Sequence, residues 1–159
     1  MTTPTIGAMA PSFNLPISET QQLALADLKG SQVVLYFYPR DCTPGCTRES
    51  QDFRDHHDAF KQLNTVILGI SRDSTSSHAK FKAEQGLPFE LLADTEGFVC
   101  QQYDVIKSKN KYGKTVQGIE RSTFLIDAAG ILRYEWRNVR VEGHVEQVLE
   151  AVRNLSNQG

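Results

Sequence analysis

The sequence predicts an α/β fold in which helices flank a central mixed β-sheet. Three observations carry this expectation. Two continuous apolar runs, VVLYFYP at 33–39 and TVILGIS at 65–71, lack polar alternation and read as strands buried on both faces. A stretch with helical spacing separates them. Near the end, STFLIDAAGILRYEW (122–136) reads as two strands joined by a turn, with Gly130 near its end. A final helix follows, in which Val145, Val148, Leu149, Val152 and Leu155 form one apolar stripe.

The remaining elements follow in order. PSFNLP suits a short edge strand bounded by prolines, and LALADLKG a second short strand and turn. Pro39 ends the first buried strand. From Pro44 to about Leu63 the chain reads as one helix, with Phe53, Phe60 and Leu63 at helical spacing. Residues 75–86 form a helix closed by Gly86. FELLAD reads as a strand at the sheet edge, and TEGFVCQQYDV as a short helix. There is no repeat and no low-complexity tract, and residues 1–159 read as a single domain.

Composition narrows the function classes. The chain has 159 residues, 40% apolar and 23% charged, with a formal net charge of −2. It is long enough to bury a core without staples, and no overall basic field draws it to nucleic acid or anionic membrane. The start, MTTPTIGAMAP, has no cationic segment ahead of an apolar one, so it does not read as a secretory leader. The longest apolar runs are strand-sized, so no membrane span is expected. The three cysteines, Cys42, Cys46 and Cys100, do not form a secreted disulfide framework, which points to a reducing, cytoplasmic compartment.

The chemistry centres on PRDCTPGCTRE (39–49). Thr43 suits an N-cap and Pro44 the first helical position, which puts Cys46 third in the helix. Unpaired backbone N–H groups and the positive end of the dipole lie there, and they favour a thiolate. Arg40 and Arg48 are cations nearby in sequence. Cys46 therefore has the features of an activated nucleophile, and the alternative at this point is a buried, inert cysteine. A zinc site made of Cys42, Cys46, His56 and His57 fails on distance. The histidines are ten and eleven residues along the same predicted helix, roughly 15 Å away at about 1.5 Å per residue, and no metal is expected. Two cysteines separated by three residues also lack the Cys-x-x-Cys spacing of a disulfide oxidoreductase.

YFYPRDCTPGCTRE closely resembles the peroxidatic segment of peroxiredoxins, and most of all their bacterioferritin comigratory protein, or peroxiredoxin Q, subgroup. Pro39, Thr43 and Cys46 match the family pattern, and GKTVQGIERSTFLID resembles the segment that carries a second active-site element, here Arg121. The likeness runs from GAMAPSFNLP to the last helix. It implies a thioredoxin-like fold with an N-terminal extension and reduction of hydrogen peroxide and organic hydroperoxides without a cofactor. It implies Cys46 as the attacking thiolate, the Thr43 hydroxyl, backbone N–H groups and Arg121 as donors, Pro39 as a shield and Glu49 as a group that orients the arginine or its neighbours.

The sequence departs from the subgroup at the resolving thiol. Gln51 stands where many members carry a second cysteine, and Lys82 where others do. Three readings remain, in this order: resolution by an external thiol, by Cys42, or by Cys100. The resemblance implies thioredoxin as the reductant, or glutathione or glutaredoxin where there is no resolver, and a monomer. A peroxide sensor or chaperone-like protein using the same cysteine is the alternative.

Overall fold

The chain opens with a short antiparallel ribbon, β1 (Asn14–Pro16) and β2 (Gln22–Ala24). In this computed structural model, residues 4–157 are described, apart from the side chains at 109 and 111. Only Leu23 and Ala24 of the expected second strand are extended, because Leu25–Leu28 wind into a 3-10 turn. Then follow β3 (Gln32–Phe37), α1 (Pro44–Asp55), α2 (His57–Gln62), β4 (Thr65–Ser71), α3 (Thr75–Gln85) and β5 (Glu90–Ala93). The chain continues through α4 (Phe98–Gln102), β6 (Ile106–Lys111), β7 (Lys114–Ile119), β8 (Ser122–Ile126), β9 (Leu132–Trp136) and α5 (His144–Asn157).

Five strands form the central sheet in the order β5-β4-β3-β8-β9. β3, β4 and β5 run parallel, while β8 and β9 are antiparallel to their neighbours. The sheet is therefore mixed, as the sequence predicts. All of Val33–Phe37 in β3 is buried, because helices cover one face and the N-terminal segment and α4 the other.

Alternation along β3 divides the core. Val33, Leu35 and Phe37 point to the face that holds Phe13, Cys100, Tyr103 and Phe124. Val34, Tyr36 and Tyr38 point to the face that holds Cys46, Phe53, Phe60, Phe81 and the stripe of α5. Cys46 and Cys100 thus lie on opposite sides of the sheet.

Two local readings are corrected. The helix expected from Pro44 to Leu63 is broken at His56, whose ring lies 2.9 Å from the Asp52 carbonyl and competes with the backbone for it. No glycine or proline marks the break, so the pattern reads as continuous. His56 caps α1 and His57 opens α2, so they do not share a helix with Cys46. The hairpin β6–β7 is absent from the sequence reading. Its segment, IKSKNKYGKTVQGI, is polar on both faces, so period-two alternation is weak. Its tip gave the only signal, since Tyr112 and Gly113 both take positive φ, 53° and 76°, as a tight two-residue hairpin turn requires.

Candidate active site

Pairing of β3 with β8 builds the site. Phe37, at the carboxyl end of β3, lies opposite Ser122, at the start of β8. Arg121 immediately precedes Ser122 and therefore arrives beside the segment that leaves β3 for α1. Residues 75 positions apart in sequence meet at one sheet edge.

α1 begins as its sequence dictates. Thr43 is the N-cap in extended conformation and Pro44 the first helical residue, so Cys46 is third. The Thr43 side chain makes no capping bond, and its hydroxyl instead donates to the Arg40 carbonyl at 3.0 Å. The helix is fixed on the sheet by Tyr36. Its ring stacks on Phe53 at 4.7 Å, and its hydroxyl lies 2.9 Å from the Ser50 Oγ. Gly69, opposite Tyr36 in β4, makes room for that ring, since a Cβ there would meet the Tyr36 Cζ at 2.8 Å. Tyr36, Ser50 and Gly69 thereby set the rotation of α1. The sequence shows them only as strand and helix residues.

Cys46 is 1% exposed. The Arg121 Nη2 lies 3.5 Å from its Sγ, and Nη1 donates to the Glu49 Oε1 at 2.7 Å. Arg40 and Arg48, the cations near in sequence, are exposed, and Arg121 is the one in contact. Gly45 allows this approach, because a Cβ there would stand 3.1 Å from the Arg121 Nη2. Pro39 is exposed where β3 gives way to the loop.

Glu49 is fully buried, and among the described residues its Oε2 has no hydrogen-bond partner. Burial pushes its carboxyl up to about 7, although Arg121 pulls it back. Burial works against the Arg121 charge, but Glu49 and Cys46 more than offset it and raise its hold on the proton. The result is a cation held between a carboxylate and a thiol sulfur at the N-terminus of a helix. Such a place stabilises negative charge on an attacking sulfur and on a departing oxygen.

The other cysteines stand apart. Cys42 is exposed, with a left-handed φ of 65°. Cys100 is buried in α4, and burial, with the nearby Asp94, pushes its thiol well above the ordinary range. All three cysteines are free thiols. At the two positions where the sequence departs from the resemblance, Gln51 bonds to Gln85 across α1 and α3 at 2.7 Å, and Lys82 pairs with Glu90. An apolar cavity of about 120 Å³ lined by Leu25, Val33 and Ile126 lies on the Cys100 face, away from this chemistry.

Comparison with known proteins identifies the family. The model of the AhpC/TSA family matches residues 6–135. "Putative peroxiredoxin bcp" of Coxiella burnetii is 49% identical over 91% of this chain and 95% of its own. Peroxiredoxin Bcp of Bacillus subtilis is 48% identical over 95% of this chain and 96% of its own. The bacterioferritin comigratory protein of Xanthomonas campestris, studied for its alkyl peroxide reduction activity, superposes with a TM-score of 0.87. It is 44% identical, over 91% of this chain and 92% of its own. A cysteine-to-serine mutant of Xylella fastidiosa PrxQ reaches a TM-score of 0.91 at 39% identity, covering 98% of this chain and 99% of its own. The thioredoxin-like fold, the match along most of the chain and these relatives place the chain in the AhpC/TSA family, among the Bcp, or peroxiredoxin Q, peroxiredoxins.

Proposed function

We propose that Cys46 is the thiolate with which this thiol-dependent peroxidase attacks hydroperoxides. The observation that supports this most directly is the Arg121 Nη2, 3.5 Å from the Cys46 Sγ at the third position of α1. The thiolate attacks the terminal peroxide oxygen in line, the O–O bond breaks, and Cys46 becomes a sulfenic acid. The alkoxide or hydroxide leaves with the bonding pair and takes a proton from water. Arg121 and the backbone N–H groups of Gly45 and Cys46, unpaired at a helix start, receive the developing charge.

The resemblance casts the Thr43 hydroxyl as a donor, but its single proton is committed to the Arg40 carbonyl. A hydroxyl then offers only lone pairs, so Thr43 accepts the O–H of the bound hydroperoxide. Pro39 shields the thiolate and Glu49 orients Arg121. An external thiol resolves the sulfenic acid, forming a mixed disulfide and releasing water, and a second thiol frees Cys46. Cys42 is the second choice of resolver, being exposed and only four residues away. Cys100 is third, because the sheet stands between it and Cys46. Thioredoxin, or glutathione with glutaredoxin, supplies the thiols to a cytoplasmic monomer that is one domain over residues 1–159. No helix among the described residues is long and apolar enough to cross a membrane. Relatives named as peroxiredoxins favour turnover over a sensing or chaperone-like role.

The test is peroxide consumption with excess thiol. Cys46→Ser abolishes it, and Cys100→Ser leaves it near wild type. Turnover by Cys46→Ser would refute the assignment. Intact mass after one equivalent of peroxide separates the resolvers: an internal disulfide loses about 2 Da, and a persistent sulfenic acid gains about 16 Da.

A further inference from the structure

The segment 39–43 carries Thr43 and sets where α1 begins, yet it has no regular structure of its own. Its anchor is Asp41, whose side chain is 1% exposed. The Tyr38 hydroxyl donates to Oδ1 at 2.6 Å, and the Ser77 hydroxyl to Oδ2 at 2.8 Å. The His78 Nδ1 lies 2.8 Å from the same Oδ2. The Asp41 backbone N–H donates to the Asp73 Oδ2 at 2.8 Å, and that oxygen also accepts the Ser71 hydroxyl at 2.6 Å. One loop residue is thus tied to the residue that follows β3, to the turn after β4 and to α3.

His78 extends the chain of bonds. Its Nε2 lies 3.0 Å from the Leu92 carbonyl in β5, and a carbonyl only accepts, so Nε2 carries hydrogen. Its Nδ1 lies against the Asp41 carboxylate, which continues the chain of bonds from β5 to the loop. Asp41, Asp73 and His78 bring ligand-type atoms within 4.8 Å of one another, but the groups already satisfy each other through hydrogen bonds. None of these residues touches Cys46 in the hydrogen bonds or ion pairs described, and the peroxide step does not use them.

The burial of Cys46 creates a need for such an anchor. At 1% exposure, the sulfur presents almost no surface to a bulky thiol. The first turn of α1 must open for an external thiol, or Cys42, to reach the sulfenic acid. A second hydroperoxide, by contrast, draws on the same Arg121 and helix-start donors as the first. Two reactions therefore compete for Cys46 sulfenic acid. In one, a thiol forms an S–S bond and water leaves. In the other, a hydroperoxide adds an oxygen, giving sulfinic acid and an alcohol.

We propose that Asp41 and His78 are positioning residues for the peroxidase reaction: their pair latches the loop 39–43, holds α1 closed over Cys46 and so sets the partition between over-oxidation and thiol resolution. This rests on Cys46 as the peroxidatic residue. Breaking a buried pair from one side is strongly destabilising, so release of the latch opens the segment locally.

The test compares wild type, His78→Ala, Asp41→Ala and Asp41→Asn by stopped-flow fluorescence and intact mass. In His78→Ala and Asp41→Ala, the peroxide step is expected to slow about tenfold, less than the loss of a whole transition-state donor. The reaction of the sulfenic acid with 2-mercaptoethanol is expected to quicken by a similar factor. More hydroperoxide is then needed to convert half the protein to sulfinic acid. Asp41→Asn keeps an acceptor for Tyr38 and a hydrogen-bonding amide toward the His78 Nδ1, so it restores much of the wild-type partition. Leu155→Ala, which opens a hole in the core at α5, lowers global stability without moving the partition. If His78→Ala does not fold, Ser77→Ala removes one of the three side-chain donors and shifts the partition part of the way. An unchanged partition in Ser77→Ala and Asp41→Ala, or an equal shift in Leu155→Ala, overturns the latch while leaving Cys46 in place. Peroxide turnover by Cys46→Ser overturns the underlying assignment instead.

Discussion

Gly45→Ala separates catalysis from stability at this site. A Cβ at position 45 would stand 3.1 Å from the Arg121 Nη2, the nitrogen that lies 3.5 Å from the Cys46 sulfur. The guanidinium is planar and its Nη1 is tied to Glu49 at 2.7 Å. To regain ordinary contact it must shift by a few tenths of an ångström, and pivoting about the Glu49 bond carries Nη2 away from Sγ. Position 45 lies in the first turn of α1, where alanine is a better helix former than glycine by up to about 1 kcal/mol. Urea unfolding should therefore show stability unchanged or raised by roughly 0.5–1 kcal/mol. Loss of a whole oxyanion donor costs about 10²–10³ in rate, and a displaced donor should cost less. We expect kcat/KM for hydrogen peroxide to fall about tenfold, read by stopped-flow under thiol excess. Full activity in Gly45→Ala would show that the close approach of Arg121 is not needed. A parallel loss of activity and stability would show that the glycine serves folding instead.

The buried titrating groups add two predictions. Glu49 has its carboxyl raised to about 7 from 4.5 by burial, so the folded protein holds that proton more tightly than the unfolded chain. Its contribution to stability is present below 4.5 and is lost as pH rises through about 7, while the ionised form is the one that pairs with Arg121. The peroxide step should therefore gain rate across pH 7, and the difference between the profiles of wild type and Glu49→Gln should have its midpoint there; identical profiles would remove Glu49 from the site. His144 has its ring held at about 4 rather than 6.5, mainly by burial and then by Arg121, and its Nε2 lies 2.8 Å from the Thr123 hydroxyl. Its contribution is whole above 6.5 and falls away between 6.5 and 4, by up to about 3 kcal/mol. His144→Gln should flatten that acid limb in pH-dependent urea titrations, and an unaltered limb would assign it to other groups.

Much of the site can be read in PRDCTPGCTRE because its geometry is local. A helix that starts at Pro44 puts Cys46 at the third position through backbone geometry alone. Arg121 is different. Its segment resembles the family's, but only the antiparallel pairing of Phe37 with Ser122 brings it to the sulfur, and a side chain 75 residues away leaves no periodic trace. Gly45 and Gly69 likewise read as a turn residue and a strand residue until the groups they admit, Arg121 and Tyr36, are seen in place. The break at His56 was hidden because a single ring–carbonyl contact makes it, without glycine or proline. The hairpin β6–β7 was hidden because a strand pair polar on both faces shows little alternation.

By itself the sequence determined the buried strands β3 and β4, the apolar stripe of α5 and a thiol at a helix start, since each depends on neighbours a few residues away. Tertiary structure alone decided which cation meets that thiol, which side of the sheet Cys100 occupies and how Asp41 is held. These contacts join β3, β8, α1 and α3 across the sheet edge, and burial sets their strength there, including the raised Glu49 carboxyl.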